Sequence, residues 1–98
     1  MDQIAVVAKF VAKAGSEVAL EQELTNVVKP TQAEEGCIMY LLHRSISNPS
    51  EYWFLEQWKS QESLESHAQS NHIKTLRQRC QGLVAVEPLV VVLDPLAN

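Results

Sequence analysis

Two runs of alternating apolar side chains flank Ser47-Asn48-Pro49-Ser50, and this pairing constrains the fold more than any other feature of the chain. Pro presets φ and Asn or Ser bonds back to the local backbone, so the tetrapeptide reads as a turn. The flanking runs, Cys37 to Ile46 and Tyr52 to Lys59, are then predicted to close as an antiparallel hairpin. Period-two alternation sets Ile38, Tyr40 and Leu42 on one face of the first strand, with Met39, Leu41 and His43 on the other. In the second strand it aligns Tyr52, Phe54, Glu56 and Trp58.

The periodicity changes on both sides of this hairpin. Ile4 to Ala12 alternates as a strand, with Ile4, Val6, Ala8 and Phe10 in register. Gly15-Ser16 breaks it, and Ser16 is expected to cap a helix that starts at Glu17. Leu20, Leu24, Val27, Val28 and Thr31 form its apolar stripe, and Pro30 is expected to kink or end it. After the hairpin, Ser60 can cap a helix with Leu64, His67 and Ala68 on one face. Asn71 looks like a fresh cap, restarting the helix through Ile73, Leu76 and Cys80 as far as Gly82. Leu89-Val90-Val91-Val92-Leu93 is the last strand.

The order β-α-β-β-α-β predicts an α+β, ferredoxin-like fold, an antiparallel sheet with helices on one face. The last strand falls at a sheet edge in that topology, yet five consecutive apolar residues imply burial on both faces. A homodimer that covers this edge or the open sheet face resolves the conflict.

Ninety-eight residues, 46% of them hydrophobic, suit one domain spanning 1–98. Eight basic against twelve acidic residues give a net charge of −4 with no basic cluster, which argues against nucleic acid as a partner. Cys37 and Cys80 match no metal or redox spacing, and two lone cysteines fit a reducing, cytoplasmic setting. Lys9 and Lys13 interrupt the first apolar run, so neither a signal peptide nor a membrane span is expected there.

Glu56 to His72 is the segment most able to carry chemistry. His67 shares a helical face with Leu64 and Ala68, so its ring should point at the sheet. It reads either as a core histidine satisfied by one hydrogen bond or as a base or donor working near neutral pH. Glu56 would orient it and raise its pKa if the two meet; otherwise Glu56 bonds backbone or faces a partly solvated surface. His72 follows five residues later, about 140° around an ideal helix, so the two cannot form a same-face metal-binding pair. A solvent-exposed place in the first turn of the next helix is the plainer reading of His72. His43 reads as a surface or interface residue. Tyr40 either offers a phenol to a polar ligand atom or is a core aromatic with its hydroxyl at the rim. No Gly-rich phosphate loop, nucleophile elbow or Cys/His cluster occurs, so neither a nucleotide cofactor nor a structural metal is expected.

Glu34-Glu35-Gly36-Cys37 followed by Tyr40, then Glu56-Gln57-Trp58-Lys59-Ser60, His67 and Ser70-Asn71-His72, together resemble the antibiotic biosynthesis monooxygenase family, most closely its quinol monooxygenase-like branch. The resemblance implies a dimeric α+β barrel with a pocket between sheet and helices in each subunit. It implies oxidation of a quinol- or phenol-like aromatic by O2 with no metal or flavin. On that reading His67 and Glu56 are catalytic, and Tyr40, Trp58, Phe54 and His72 bind substrate. Members that degrade haem use a different constellation, an Asn on the first strand and a Trp where His67 stands, so haem is not expected. Other branches imply two alternatives, a non-catalytic ligand-binding or stress-response dimer and an isomerase of a phosphorylated sugar using Lys9 and Arg44.

Overall fold

The computed structural model describes residues 2–97. Its elements run β1 (Ile4–Val11), α1 (Glu17–Asn26), α2 (Val28–Gln32), β2 (Cys37–Arg44), β3 (Glu51–Trp58), α3 (Gln61–Ala68), α4 (Asn71–Cys80) and β4 (Leu89–Leu93). The strands form one sheet in the order β2-β3-β1-β4, every neighbouring pair antiparallel. This is the ferredoxin-like α+β arrangement that the hairpin and the flanking periodicities predict. None of the described helices is long and apolar enough to cross a membrane.

The two faces of the sheet differ because each strand keeps its alternation. Pairing runs Tyr40–Glu56–Val6–Val92 across all four strands, and one step along Leu42–Phe54–Ala8–Val90. These rows face the helices, and Leu20, Leu24, Val27, Ile73, Leu76 and Cys80 close over Val6, Ala8, Tyr40 and Phe54 to make the core, while Val90 and Val92 at the β4 edge stay exposed. Each such aliphatic or aromatic side chain contributes about 1.5–3 kcal/mol by leaving water. The opposite face carries the row Leu41–Leu55–Val7–Val91 and has no helix over it. Lys9 lies on this outer face with its ammonium 5.6 Å from the centre of the Trp53 ring.

Several local expectations give way to backbone constraints. Ile38 does not join Tyr40 and Leu42; it is exposed, because the register shifts between Cys37 and Met39 and Cys37 takes the inward place opposite Trp58. A single extra residue is enough to reverse which neighbours point inward. Strand β2 stops at Arg44 rather than Ile46, since Ser45 already turns to accept the Asn48 N–H on its hydroxyl.

Ser16 makes no side-chain cap; Glu17 accepts the Gly15 N–H instead. The first helix breaks at Val27, so Pro30 falls in the first turn of α2, where its missing N–H costs no helical bond. The cap of α4 is Ser70, whose hydroxyl accepts from Ile73, and Asn71 is already helical. Gly82 lies beyond the end of α4, which is Cys80 with Gln81 as its cap.

Candidate active site

The alternation of β3 brings Phe54, Glu56 and Trp58 to the helix-facing side, all buried. Helix α3, capped by Ser60 through the Ser63 N–H at 3.1 Å, lays His67 over them. The imidazole stacks obliquely on Trp58 with ring centres 4.6 Å apart and meets Tyr40 edge-on at 5.4 Å. Tyr40 in turn stacks on Phe54 at 4.7 Å. His67 is 7% exposed and Glu56 5%.

The carboxylate that reaches His67 is Glu34, not Glu56. His67 Nδ1 lies 2.8 Å from Glu34 Oε2. Glu56 Oε1 instead accepts the Trp58 indole N–H at 2.9 Å. Neighbours on one strand face, two residues apart, satisfy each other before either can reach across to the helix. Glu34 comes from the turn between α2 and β2, and a Cβ on Gly36 in that turn would collide with Ser63 of α3. The absence of a side chain at Gly36 therefore lets the turn approach the helix closely enough for Glu34 to meet the histidine.

His72 also converges on this carboxylate, its Nε2 lying 2.8 Å from the same Oε2. On one continuous helix the two histidines would diverge. The chain breaks at Gln69 and Ser70, re-aims α4, and brings the ring centres to 6.1 Å. Ser70 holds the joint, donating its hydroxyl to the His67 carbonyl at 2.7 Å. A carboxylate can only accept, so His67 carries its proton on Nδ1 and keeps a lone pair on Nε2.

A cavity of about 230 Å³ opens between sheet and helices. Tyr40, Phe54, Glu56 and His67 line it together with aliphatic side chains of β1, α3 and α4, and Arg77 is its one basic residue. Trp58 and His72 are not on its wall: Trp58 backs the His67 ring and His72 sits behind Glu34. The two residues expected to touch substrate alongside Tyr40 and Phe54 are thus positioned to support rather than to line. His43 is exposed on the outer face, away from the cavity.

Lys9 and Arg44 do not reach the cavity either. Lys9 lies over Trp53, and Arg44 pairs with Glu21 at 3.3 Å. A larger open groove of about 800 Å³ lies beside β2, but its charged lining is that same solvent-exposed Arg44–Glu21 pair with Lys29.

Burial sets the protonation states. It pushes the His67 pKa below its ordinary value, an effect that Glu34 opposes, so the ring is neutral near pH 7. Burial raises Glu56 to about 7, with the Trp58 hydrogen bond pulling the other way and Glu34 adding to the rise. Tyr40 is raised as well, first by burial and then by the charge of Glu56, and stays a phenol. Burial raises Cys37, which remains a half-buried thiol packed against the core. A neutral imidazole with a free lone pair, a carboxyl near its midpoint and an un-ionised phenol therefore share one small apolar chamber.

Comparisons with known proteins identify the family and the fold. The family model of antibiotic biosynthesis monooxygenases matches residues 3–79. The chain is 32% identical over 93 residues to Rv0793 of Mycobacterium tuberculosis, a candidate monooxygenase, covering 95% of this chain and 91% of that protein. The solved structure of Rv0793 superimposes with a TM-score of 0.94 at 31% identity, over 98% of this chain and 97% of that one. PA3566 of Pseudomonas aeruginosa superimposes with a TM-score of 0.93 at 29% identity, over 99% and 97% of the two chains.

Proposed function

The chain belongs to the antibiotic biosynthesis monooxygenase family, and we propose that its cavity deprotonates a phenol- or quinol-like aromatic so that O2 can attack it without a metal or flavin. The observation that carries this reading is the buried His67, whose Nδ1 is held by Glu34 while the ring lines a cavity. Ground-state O2 is a triplet, so the substrate has to give up one electron before a bond can form. A phenolate does this far more readily than a phenol. Nε2 takes the hydroxyl proton, and the Glu34 carboxylate stabilises the imidazolium that results.

Electron transfer to O2 followed by recombination gives a carbon-bound peroxide. That carbon then loses its hydrogen as a proton while the O–O bond breaks, so one oxygen stays as a new carbonyl and the other, taking up this proton and the one held on His67, leaves as water. Tyr40 and Glu56 supply hydrogen bonds to the substrate oxygens, and Phe54 packs against its ring. At about 230 Å³ the chamber is smaller than the roughly 300–1,000 Å³ of ordinary ligand pockets, which favours one or two fused rings over a larger polycycle. With Arg77 as its single permanent cation and the carboxyl of Glu56 on the same lining, it is a poor receptor for a sugar phosphate.

The working unit on this reading is a homodimer closed over the outer row Leu41–Leu55–Val7–Val91 and the exposed side chains of β4.

Oxygen uptake by metal-free protein with a reduced naphthoquinol tests the proposal. Uptake should exceed spontaneous oxidation and fall by about 10²-fold or more in His67→Ala. Equal uptake with and without protein would remove quinols from consideration.

A further inference from the structure

Glu34 Oε2 is the meeting point of two imidazole nitrogens from two different helices. His67 Nδ1 and His72 Nε2 each lie 2.8 Å from it, and the three donor atoms fall within 4.8 Å of one another. A carboxylate has about four lone-pair sites over which to distribute donors. Here both imidazoles use a single oxygen, so two nitrogen axes cross at one point.

We propose that Glu34, His67 and His72 form a binding site for a divalent transition ion of the zinc type, and that its occupation reverses the tautomer of His67. Two imidazoles and a carboxylate are a donor set for zinc that leaves a fourth position open to water. Metal–ligand bonds of about 2.0–2.2 Å place tetrahedral ligand atoms roughly 3.3 Å apart. The two N–O separations of 2.8 Å thus have to open by about 0.5 Å, with the ion seated between the two nitrogens and Oε2 and not at the oxygen's present position. Glu34 can withdraw by that amount because it stands on a turn with its side chain partly exposed. The route in is an open depression that Glu34 lines with Glu35, Glu62, Ser66 and Ser70, whose acidic rim attracts a cation.

The tautomeric consequence follows from counting protons. The ion takes the lone pair of Nδ1 on His67 and of Nε2 on His72. Each ring remains neutral with its one proton, which moves to the opposite nitrogen. His67 then presents an N–H to the cavity where it had presented a lone pair, and the base becomes a donor. That loss of basicity rests on the catalytic reading of His67; binding of the ion does not.

The test uses the full, metal-stripped chain without substrate. Calorimetric titration with Zn2+ should show one ion per chain at micromolar or lower concentration, and Co2+ should give the visible bands of a tetrahedral site. Glu34→Gln and His72→Gln should each weaken binding at least tenfold. In the unsubstituted protein, long-range ¹H–¹⁵N spectra should show the His67 proton moving from Nδ1 to Nε2 on addition of Zn2+, a readout independent of how well either variant folds. Absence of binding at micromolar Zn2+, an affinity in either variant unchanged from the parent protein, or an unmoved His67 proton would each overturn the proposal.

Discussion

The two nitrogens of His67 serve different surroundings. Nδ1 meets Glu34, and the ring as a whole faces an apolar chamber that also holds Glu56. The linked titrations have opposite signs. The folded-state pKa of His67 is depressed, so its contribution to stability is full above its ordinary value of 6.5 and is lost as pH falls below it. Glu56 is raised from 4.5 to about 7, so the folded chain holds that proton more tightly than the unfolded one. Its contribution is full below 4.5 and is lost as pH rises through about 7. Glu56→Gln removes this second loss. Denaturant unfolding at pH 5 and pH 8 should show the decline of the parent protein between those values shrinking by on the order of 2 kcal/mol in the variant; an unchanged difference would mean that Glu56 titrates normally. At this scale the sequence was legible for His67, whose apolar helical neighbours announced its direction. It was not legible for Glu34, because a carboxylate in a turn has no periodicity and its partners are 33 and 38 residues away.

Elements assemble this site through their interruptions. The break at Gln69 and Ser70 turns two histidines that a continuous helix would separate into neighbours. Helix spacing alone therefore predicts the opposite of what the joint produces. Gly36 performs the matching task on the other side of the site. A Cβ there would lie 2.1 Å from Ser63 Oγ and 2.3 Å from Ser63 Cβ, closer than side chains can pack. Gly36→Ala should destabilise the fold by about 1–3 kcal/mol through overpacking, and should push the Glu34 turn away from α3. Thermal unfolding measures the first effect. Histidine ¹⁵N shifts measure the second, and unchanged shifts with full stability would show that the turn has room to spare. The sequence marks both places with ordinary turn residues but does not say which contacts they permit, since these depend on elements far apart in the chain.

At the level of the whole molecule, the alternation of β1, β2 and β3 dictated topology, because each period-two run has one face that must find helices, whereas the five consecutive apolar residues of β4 carry no such signal. It also left the outer face uncovered, with Leu41, Leu89 and Leu93 exposed and Leu55, Val7 and Val91 between them half-buried. If a second copy covers this face, Leu55→Lys should give a species with the mass of one chain in light scattering, while Leu55→Met should retain the dimer. A monomeric parent protein at micromolar concentration would remove that expectation. The proposed chemistry depends on whether the chamber enclosed by sheet and helices extracts a proton from an aromatic hydroxyl. Anaerobic titration with a naphthol whose phenolate absorbs at longer wavelength than the phenol reads this directly, with no oxygen chemistry involved. Binding at pH 7 should bring up the phenolate band in the parent protein and not in His67→Ala. A naphthol that binds and remains protonated in both, or ionises equally in both, would contradict the assignment of His67 as the base.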